Sequence, residues 1–286
     1  MTLRDASELS ALSFWRSWAG GLWQTAEDAW LRRSGQDHFN RDHVITPTLQ
    51  ASIASEIQFR SLIDIGCGDG YTTNLLLASL DSIGKKPGEV VLLDASERQL
   101  NMALQRPQLT DAQIARIDLE TAEWSAQVPL RTSPTVLISV FVLQELPSLA
   151  PFLTALAKLV RSEDVAFCVT LAPSFSQRLF DKGEIRPEMT QSSSSMDWKW
   201  AGGFPVPVGS DTVFLPHFQR DLDSIIAAHL EYGLTVTGVQ ELSVPDTAET
   251  RKIFSGTVYG EEIIAHPSSV LLTIRKSHEG VLNGAI

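Results

Sequence analysis

The stretch Ser61-Leu62-Ile63-Asp64-Ile65-Gly66-Cys67-Gly68-Asp69-Gly70-Tyr71 constrains this chain more than any other. Its apolar run is too short for a helix and reads as a buried strand. An acidic–glycine cluster closes it, and Thr72 to Leu80 continue with helix-compatible apolar spacing. Strand, glycine turn and helix in that order make a nucleotide-binding corner. Glycine lets backbone approach a ligand where a side chain would clash. The helix start behind it offers open N–H groups and the positive end of the dipole.

The glycine spacing separates the candidate nucleotides. A dinucleotide fingerprint requires G-x-G-x-x-G with an acid about 20 residues further on. Here Gly66, Gly68 and Gly70 are followed by Tyr71, where the third dinucleotide glycine would stand. Asp64 lies inside the turn, a poor place for a carboxylate against a pyrophosphate and a good one against a cationic amine or sulfonium. The pattern Asp64-x-Gly66-x-Gly68-x-Gly70 resembles motif I of the class I S-adenosylmethionine-dependent methyltransferases. That resemblance implies an α/β, Rossmann-like sheet of seven strands, mostly parallel with an antiparallel last strand and helices on both faces. It also implies S-adenosyl-L-methionine as cofactor, with Asp64, Gly66, Cys67 and Gly68 at its binding turn.

Later strand ends follow the same phase. Gly84 to Gly88 is a breaker cluster, and Glu89 to Asp94 is a second buried strand ending in an acid. Ligands of open α/β sheets bind at the carboxyl ends of strands. Asp94, with Ala95 beside it, matches the family's ribose-binding acid, which can accept from both hydroxyls; a helix N-cap is the alternative use of this acid. Gln113 to Leu119 is a third strand, and by resemblance Asp118 and Leu119 face the adenine. Thr135 to Leu146 is the fourth strand and its exit. It resembles motif IV, bordering the methionine part of the cofactor at Ser139. Leu149 to Val160 reads as a helix and Asp164 to Leu171 as a fifth strand. Repeated strand–helix alternation points to a doubly wound sheet.

Two segments depart from that rhythm. Residues 7 to 34 read as a helix with Leu9, Leu12, Trp15, Trp18, Leu22, Ala26 and Trp30 near one face. This is a cap packed on the core, or an aromatic wall over a substrate pocket, or a dimer surface. Pro173 to Pro216 reads as a long loop with Ser192 to Ser195 as its tip and with Trp198, Trp200, Phe204 and Phe214 among glycines and prolines. Long loops of this kind are commonly functional lids, so these aromatics are candidate substrate contacts, together with Tyr259. Leu215 to Leu222 reads as the approach to a helix ending at Gly233. Leu234 to Leu242 and Ser269 to Arg275 are the last two strands. The expected organisation is a helical cap over 1–58, the methyltransferase domain over 59–276 with a lid or recognition insertion at 173–218, and a tail over 277–286.

Composition narrows the acceptor. A net charge of −11 over 286 residues argues against nucleic acid, whose phosphates demand basic surface. No apolar run reaches the ~20 residues that span a bilayer. Met1 to Ser13 lacks the basic start and apolar core of a secretory leader, so a cytoplasmic protein is expected. Cys67 and Cys168 read as reduced thiols without metal-ligand spacing, and no metal is expected. A small, apolar or aromatic metabolite, as in natural-product tailoring, is the expected methyl acceptor, and a homodimer is an open possibility. His217 is the leading candidate base, with Glu145 and His43 behind it. The family's aromatic–His–Arg run is here Phe218-Gln219-Arg220, with Gln at the His position and His217 one residue before the run. A nicotinamide-dependent oxidoreductase and a methyltransferase fold repurposed for binding are the competing readings.

Overall fold

A computed structural model describes residues 3–33, 39–56, 58–189, 197–208 and 211–277. The Ser192–Ser195 tip and nearly all of the 277–286 tail therefore lie outside the described residues.

The parallel strands, the third excepted, are largely apolar and buried because both faces are covered, as the short runs predict. They are β1 (Ser61–Ile65), β2 (Glu89–Asp94), β3 (Gln113–Arg116), β4 (Thr135–Val140) and β5 (Val165–Leu171). Helices α1 (Leu3–Arg33) and α2 (Thr46–Ser55) precede them, and a single π-helical turn at Arg41–Ile45 leads into α2. Between strands run α3 (Tyr71–Ser82), α4 (Glu97–Ala103) and α5 (Ala150–Leu159). After β5 come α6 (Pro173–Asp181), β6 (Arg186–Met189), β7 (Trp200–Val208), β8 (Asp211–Gln219) and α7 (Leu222–Glu231). The chain ends with β9 (Leu234–Leu242), α8 (Ala248–Phe254), α9 (Glu262–Ala265) and β10 (Ser269–Lys276).

The main sheet has seven strands in the order β3-β2-β1-β4-β5-β10-β9, and β10 runs antiparallel to both neighbours. The order reverses between β1 and β4, which opens a crevice at their carboxyl ends. The core of Leu62, Ile63, Leu92, Leu137, Phe152 and Phe167 is fully buried on either side of this sheet.

The region read as a long loop is folded instead. Of its described residues, 173–189, 197–208 and 211–219 carry α6 and a second, three-stranded antiparallel sheet ordered β6-β7-β8. Proline and glycine at Gly202, Gly203, Pro205, Pro207 and Pro216 hid it, since these residues ordinarily punctuate loops. Pro216 is tolerated because β8 is an edge strand. At Gly202 a Cβ would lie 2.5 Å from the Arg186 carbonyl oxygen, so close pairing of β6 requires glycine there. Leu215 to Gln219, read as a helix approach, belongs to β8.

No helix among the described residues is long and apolar enough to cross a membrane.

Candidate active site

The turn after β1 holds Gly66, Gly68 and Gly70 at φ of +74°, +55° and +71°, which only glycine adopts without strain. A Cβ on Gly66 would sit 2.3 Å from Val142 Cγ2, and one on Gly70 would meet Leu109 and Ala103. The turn thus packs against the β4 exit on one side and α4 on the other. Backbone N–H groups of Gly66 and Cys67 both donate to the Leu93 carbonyl, at 2.8 and 3.0 Å. Asp69 forms a buried pair with Arg106, at 2.5 Å. Asp64 is buried beneath the turn and accepts from the Thr73 hydroxyl. Burial pushes its carboxyl up to about 7, partly opposed by that hydrogen bond.

Asp94 ends β2 with one carboxylate oxygen accepting from Gly68 N–H at 2.8 Å and the other from Ser96 N–H at 2.9 Å. Each oxygen keeps a lone pair for a ligand. Burial raises this carboxyl too, while the backbone donors hold it down. Ser96 caps α4, its hydroxyl accepting from Gln99 N–H, so the cap role weighed above for Asp94 falls to Ser96.

At the β4 exit, Phe141 stands at φ +63°, a left-handed conformation that costs a non-glycine residue about 1–3 kcal/mol. Two hydrogen bonds hold it: its N–H donates to Val169 O at 2.7 Å and its carbonyl accepts from Gln144 Nε2 at 2.6 Å. Nothing in the identity of Phe141 signals this. The conformation turns the Val140–Leu146 segment across the crevice. Glu145 sits there, accepting from Trp23 Nε1 at 3.1 Å, and burial pushes its carboxyl well above the usual range.

These segments open into one continuous cavity of about 690 Å³. One end is lined by the glycine turn and by Asp94, Ala95, Asp118 and Leu119. The other is lined by Phe175, Phe204, Leu215, His217, Phe254 and Tyr259, and the β4 exit lies between. Helix α1 closes one side with Ala19, Gly20, Trp23, Gln24 and Glu27. Seven acidic residues and a single arginine, Arg41, are in the lining, so the cavity favours a cationic ligand. Gln99 Oε1, beside Gly68, is buried in this lining without a partner among the described residues, an acceptor awaiting a donor.

Residues 63–163 match the family model described as "Methyltransferase domain". This stretch is a methyltransferase domain, and the sheet around it has the fold of the class I S-adenosylmethionine-dependent methyltransferases. Two solved structures share its fold. One is an S-adenosylmethionine dependent methyltransferase from Mesorhizobium loti, 16% identical with a TM-score of 0.51 over 82% of this chain and 100% of that one. The other is the DhpI-SAM-HEP complex, 15% identical with a TM-score of 0.52 over 93% of this chain and 96% of that one. At such identities the likeness is one of fold. No curated protein matches the chain. The methyltransferase binds S-adenosylmethionine, and the residues present fit that molecule. The glycine turn allows close approach, the lining is acidic where a sulfonium and an amine must be held, and Gln99 Oε1 supplies an unfilled acceptor.

Most of the predicted site residues of this methyltransferase meet at the cavity: Asp64, Gly66, Cys67, Gly68, Asp94, Ala95, Asp118, Leu119, Glu145, Phe204, His217 and Tyr259. Five do not line it. Ser139 is buried inside β4, two residues short of the strained turn, and Val140 and Phe141 line the cavity in its place. His43 is exposed and packs on Phe39, with ring centroids 4.5 Å apart. Trp198 is buried in a separate cluster with Trp15 and Phe218, donating to Pro147 O at 3.1 Å. Trp200 stacks on Phe180 at 4.5 Å and lies 5.1 Å from the His217 ring, outside the lining. Phe214 alternates with Leu215 and so faces the opposite side of β8, beneath the Arg186 guanidinium at 3.7 Å. Sequence reading missed Glu27 and Gln99, because they reach the cavity from helices whose local pattern carries no binding signature. Trp15 and Trp18 pack inward on Phe218, whereas Trp23 alone of the described α1 tryptophans lines the cavity.

Proposed function

We propose that the methyltransferase alkylates an O, N or C nucleophile of a small, largely apolar or aromatic metabolite, lodged in the aromatic end of the cavity. The observation that carries this reading is the continuity of an acidic, glycine-bordered end with an aromatic end inside a volume of about 690 Å³. That volume lies within the range of small-molecule sites and must accommodate cofactor and acceptor together.

S-adenosylmethionine supplies an electrophilic methyl group when bound. This chain's residues bind and orient. Asp94 takes the ribose hydroxyls, Asp118 and Leu119 the adenine, and Asp64 with the turn of Gly66, Cys67 and Gly68 the amino-acid end. Val140 to Leu146 separates the two ligands, and the aromatic walls exclude water from the transfer. His217 is a weak base in this setting, because burial lowers it to about 4, while burial pushes the Glu145 carboxyl well above its usual range, towards the form that already carries a proton. Alignment therefore carries most of the rate. Tailoring of a metabolite in the cytoplasm is the setting that suits such a pocket.

Calorimetric titration with S-adenosylhomocysteine, NAD(H) and NADP(H), with Asp94→Ala as control, tests the reading. Tight S-adenosylhomocysteine binding that the variant loses is expected. Binding of a nicotinamide cofactor, or of none, would overturn it.

A further inference from the structure

His217 and Ser268 line the cavity, and each has a buried side-chain polar atom without a partner among the described residues, His217 Nδ1 and Ser268 Oγ. Both residues are almost wholly buried, at 2% and 1% exposure. Unpaired buried polar atoms are uncommon, and each calls for a reason.

The tautomer of His217 follows from its neighbours. Gln219 Nε2 donates to the Pro173 carbonyl at 2.9 Å, which fixes the orientation of the amide. Its Oε1 then accepts from the Ser176 hydroxyl at 2.6 Å and lies 3.0 Å from His217 Nε2. A carbonyl oxygen cannot donate, so His217 Nε2 carries the hydrogen and Nδ1 carries a lone pair. The ring is clamped between Trp200 and Phe204, with centroids 5.1 and 5.6 Å away. Burial keeps it neutral, so Nδ1 remains an acceptor across the working pH range. The position where the family's run has histidine thus carries the glutamine that sets the state of His217.

We infer that the aromatic end recognises an acceptor with a neutral hydroxyl donor on a small aromatic skeleton, a phenol-type compound, through a hydrogen bond to His217 Nδ1. Ser268 Oγ offers a second, weaker point of attachment, since a hydroxyl can donate or accept. Ser176 and Gln219 are positioning residues that act through His217. A site built around an unfilled acceptor rejects the analogue that lacks the donor, because the lone pair stays buried and unpaired. This inference rests on the small-acceptor reading above and specifies its chemistry.

The test uses the full chain loaded with S-adenosylhomocysteine, whose binding is confirmed first. Failure at that step would count against the methyltransferase reading and not against this one. The loaded protein is then titrated with 4-ethylphenol and with ethylbenzene, which share a skeleton and differ by the hydroxyl. We expect the phenol to bind at least about tenfold more tightly, and His217→Phe to abolish the difference while still binding S-adenosylhomocysteine. Nitrogen-15 spectra of histidine-labelled protein provide a second readout in the unaltered chain. The His217 Nδ1 resonance should move on adding the phenol and stay fixed with ethylbenzene. Equal affinities, binding of neither compound, or a preference that survives in His217→Phe would overturn the inference. Nδ1 would then be served by solvent shared with the neighbouring Arg220 Nε, which also lacks a partner among the described residues.

Discussion

Asp94 accepts a hydrogen bond from the Gly68 backbone at 2.8 Å, so the acid ending β2 is fastened to the glycine turn after β1. Its second oxygen holds the start of α4 through Ser96. The two segments proposed to grip the cofactor therefore move as one piece, and the carboxylate supports the turn while presenting lone pairs to the ligand.

Replacing Asp94 should test both roles. Asp94→Ala leaves the N–H groups of Gly68 and Ser96 unpaired, and we expect a loss of about 1–3 kcal/mol in stability. S-adenosylhomocysteine affinity should fall at least about tenfold. Asp94→Asn keeps one acceptor and should recover part of the stability but little of the affinity. Denaturant unfolding and calorimetry measure the two separately. A folded variant with unchanged affinity would reject the ribose assignment.

Gly66 is pressed against Val142. Gly66→Ala adds left-handed strain and a Cβ 2.3 Å from Val142 Cγ2, so we expect roughly 2–5 kcal/mol of destabilisation. Val142→Ala removes the clashing methyl, and the double variant should be more stable than the two single effects sum to. Additive losses in a double-mutant cycle would show that strain alone matters.

Asp64 makes stability and ligand binding depend on pH. In the unfolded chain it ionises near 3.8, whereas burial holds its proton to about 7 in the folded one. The folded state binds more protons in that window. Its contribution is therefore fully present below about pH 4 and is lost as pH rises towards 7. Relative to Asp64→Asn, the unaltered protein should lose up to about 3 kcal/mol between pH 5 and 7.5 in urea unfolding. Binding of cationic S-adenosylmethionine at pH 6 should release a proton, seen as a buffer-dependent enthalpy that Asp64→Asn lacks.

Helix α1 is tied to the cavity rim by polar contacts. Trp23 donates to Glu145 at 3.1 Å, Ser96 donates to Glu27 at 2.5 Å, and Arg16 pairs with Glu120 at 2.7 Å. Bound S-adenosylhomocysteine should slow amide exchange across residues 15–29. Trp23→Phe should lower stability by about 1 kcal/mol and weaken that protection. Exchange indifferent to the ligand would show that α1 is only a structural cap.

Much of the cofactor end was legible in the linear chain. Gly66, Gly68 and Gly70 declare a turn because their backbone angles are a local property of residues without a Cβ. Asp94 and Asp118 declare themselves because each follows a short strand-like run, and strand ends converge by the topology of a parallel sheet. The acceptor end was less legible. Proline and glycine masked β7 and β8, and a one-residue difference in strand phase sent Phe214 outward and Leu215 inward. The Trp23–Glu145 contact joins residues 122 apart in the chain, and Arg220 reaches the Leu146 carbonyl across 74. Such meetings depend on how whole elements pack. The lock on His217 needs Pro173, Ser176 and Gln219 brought together by α6 and β8, and no local pattern encodes that. The sequence by itself determined the sheet and its glycine turn, because both arise from short-range sterics and strand periodicity. Only the tertiary structure decided which side chains face the acceptor, because long-range packing selects the face each strand and helix presents.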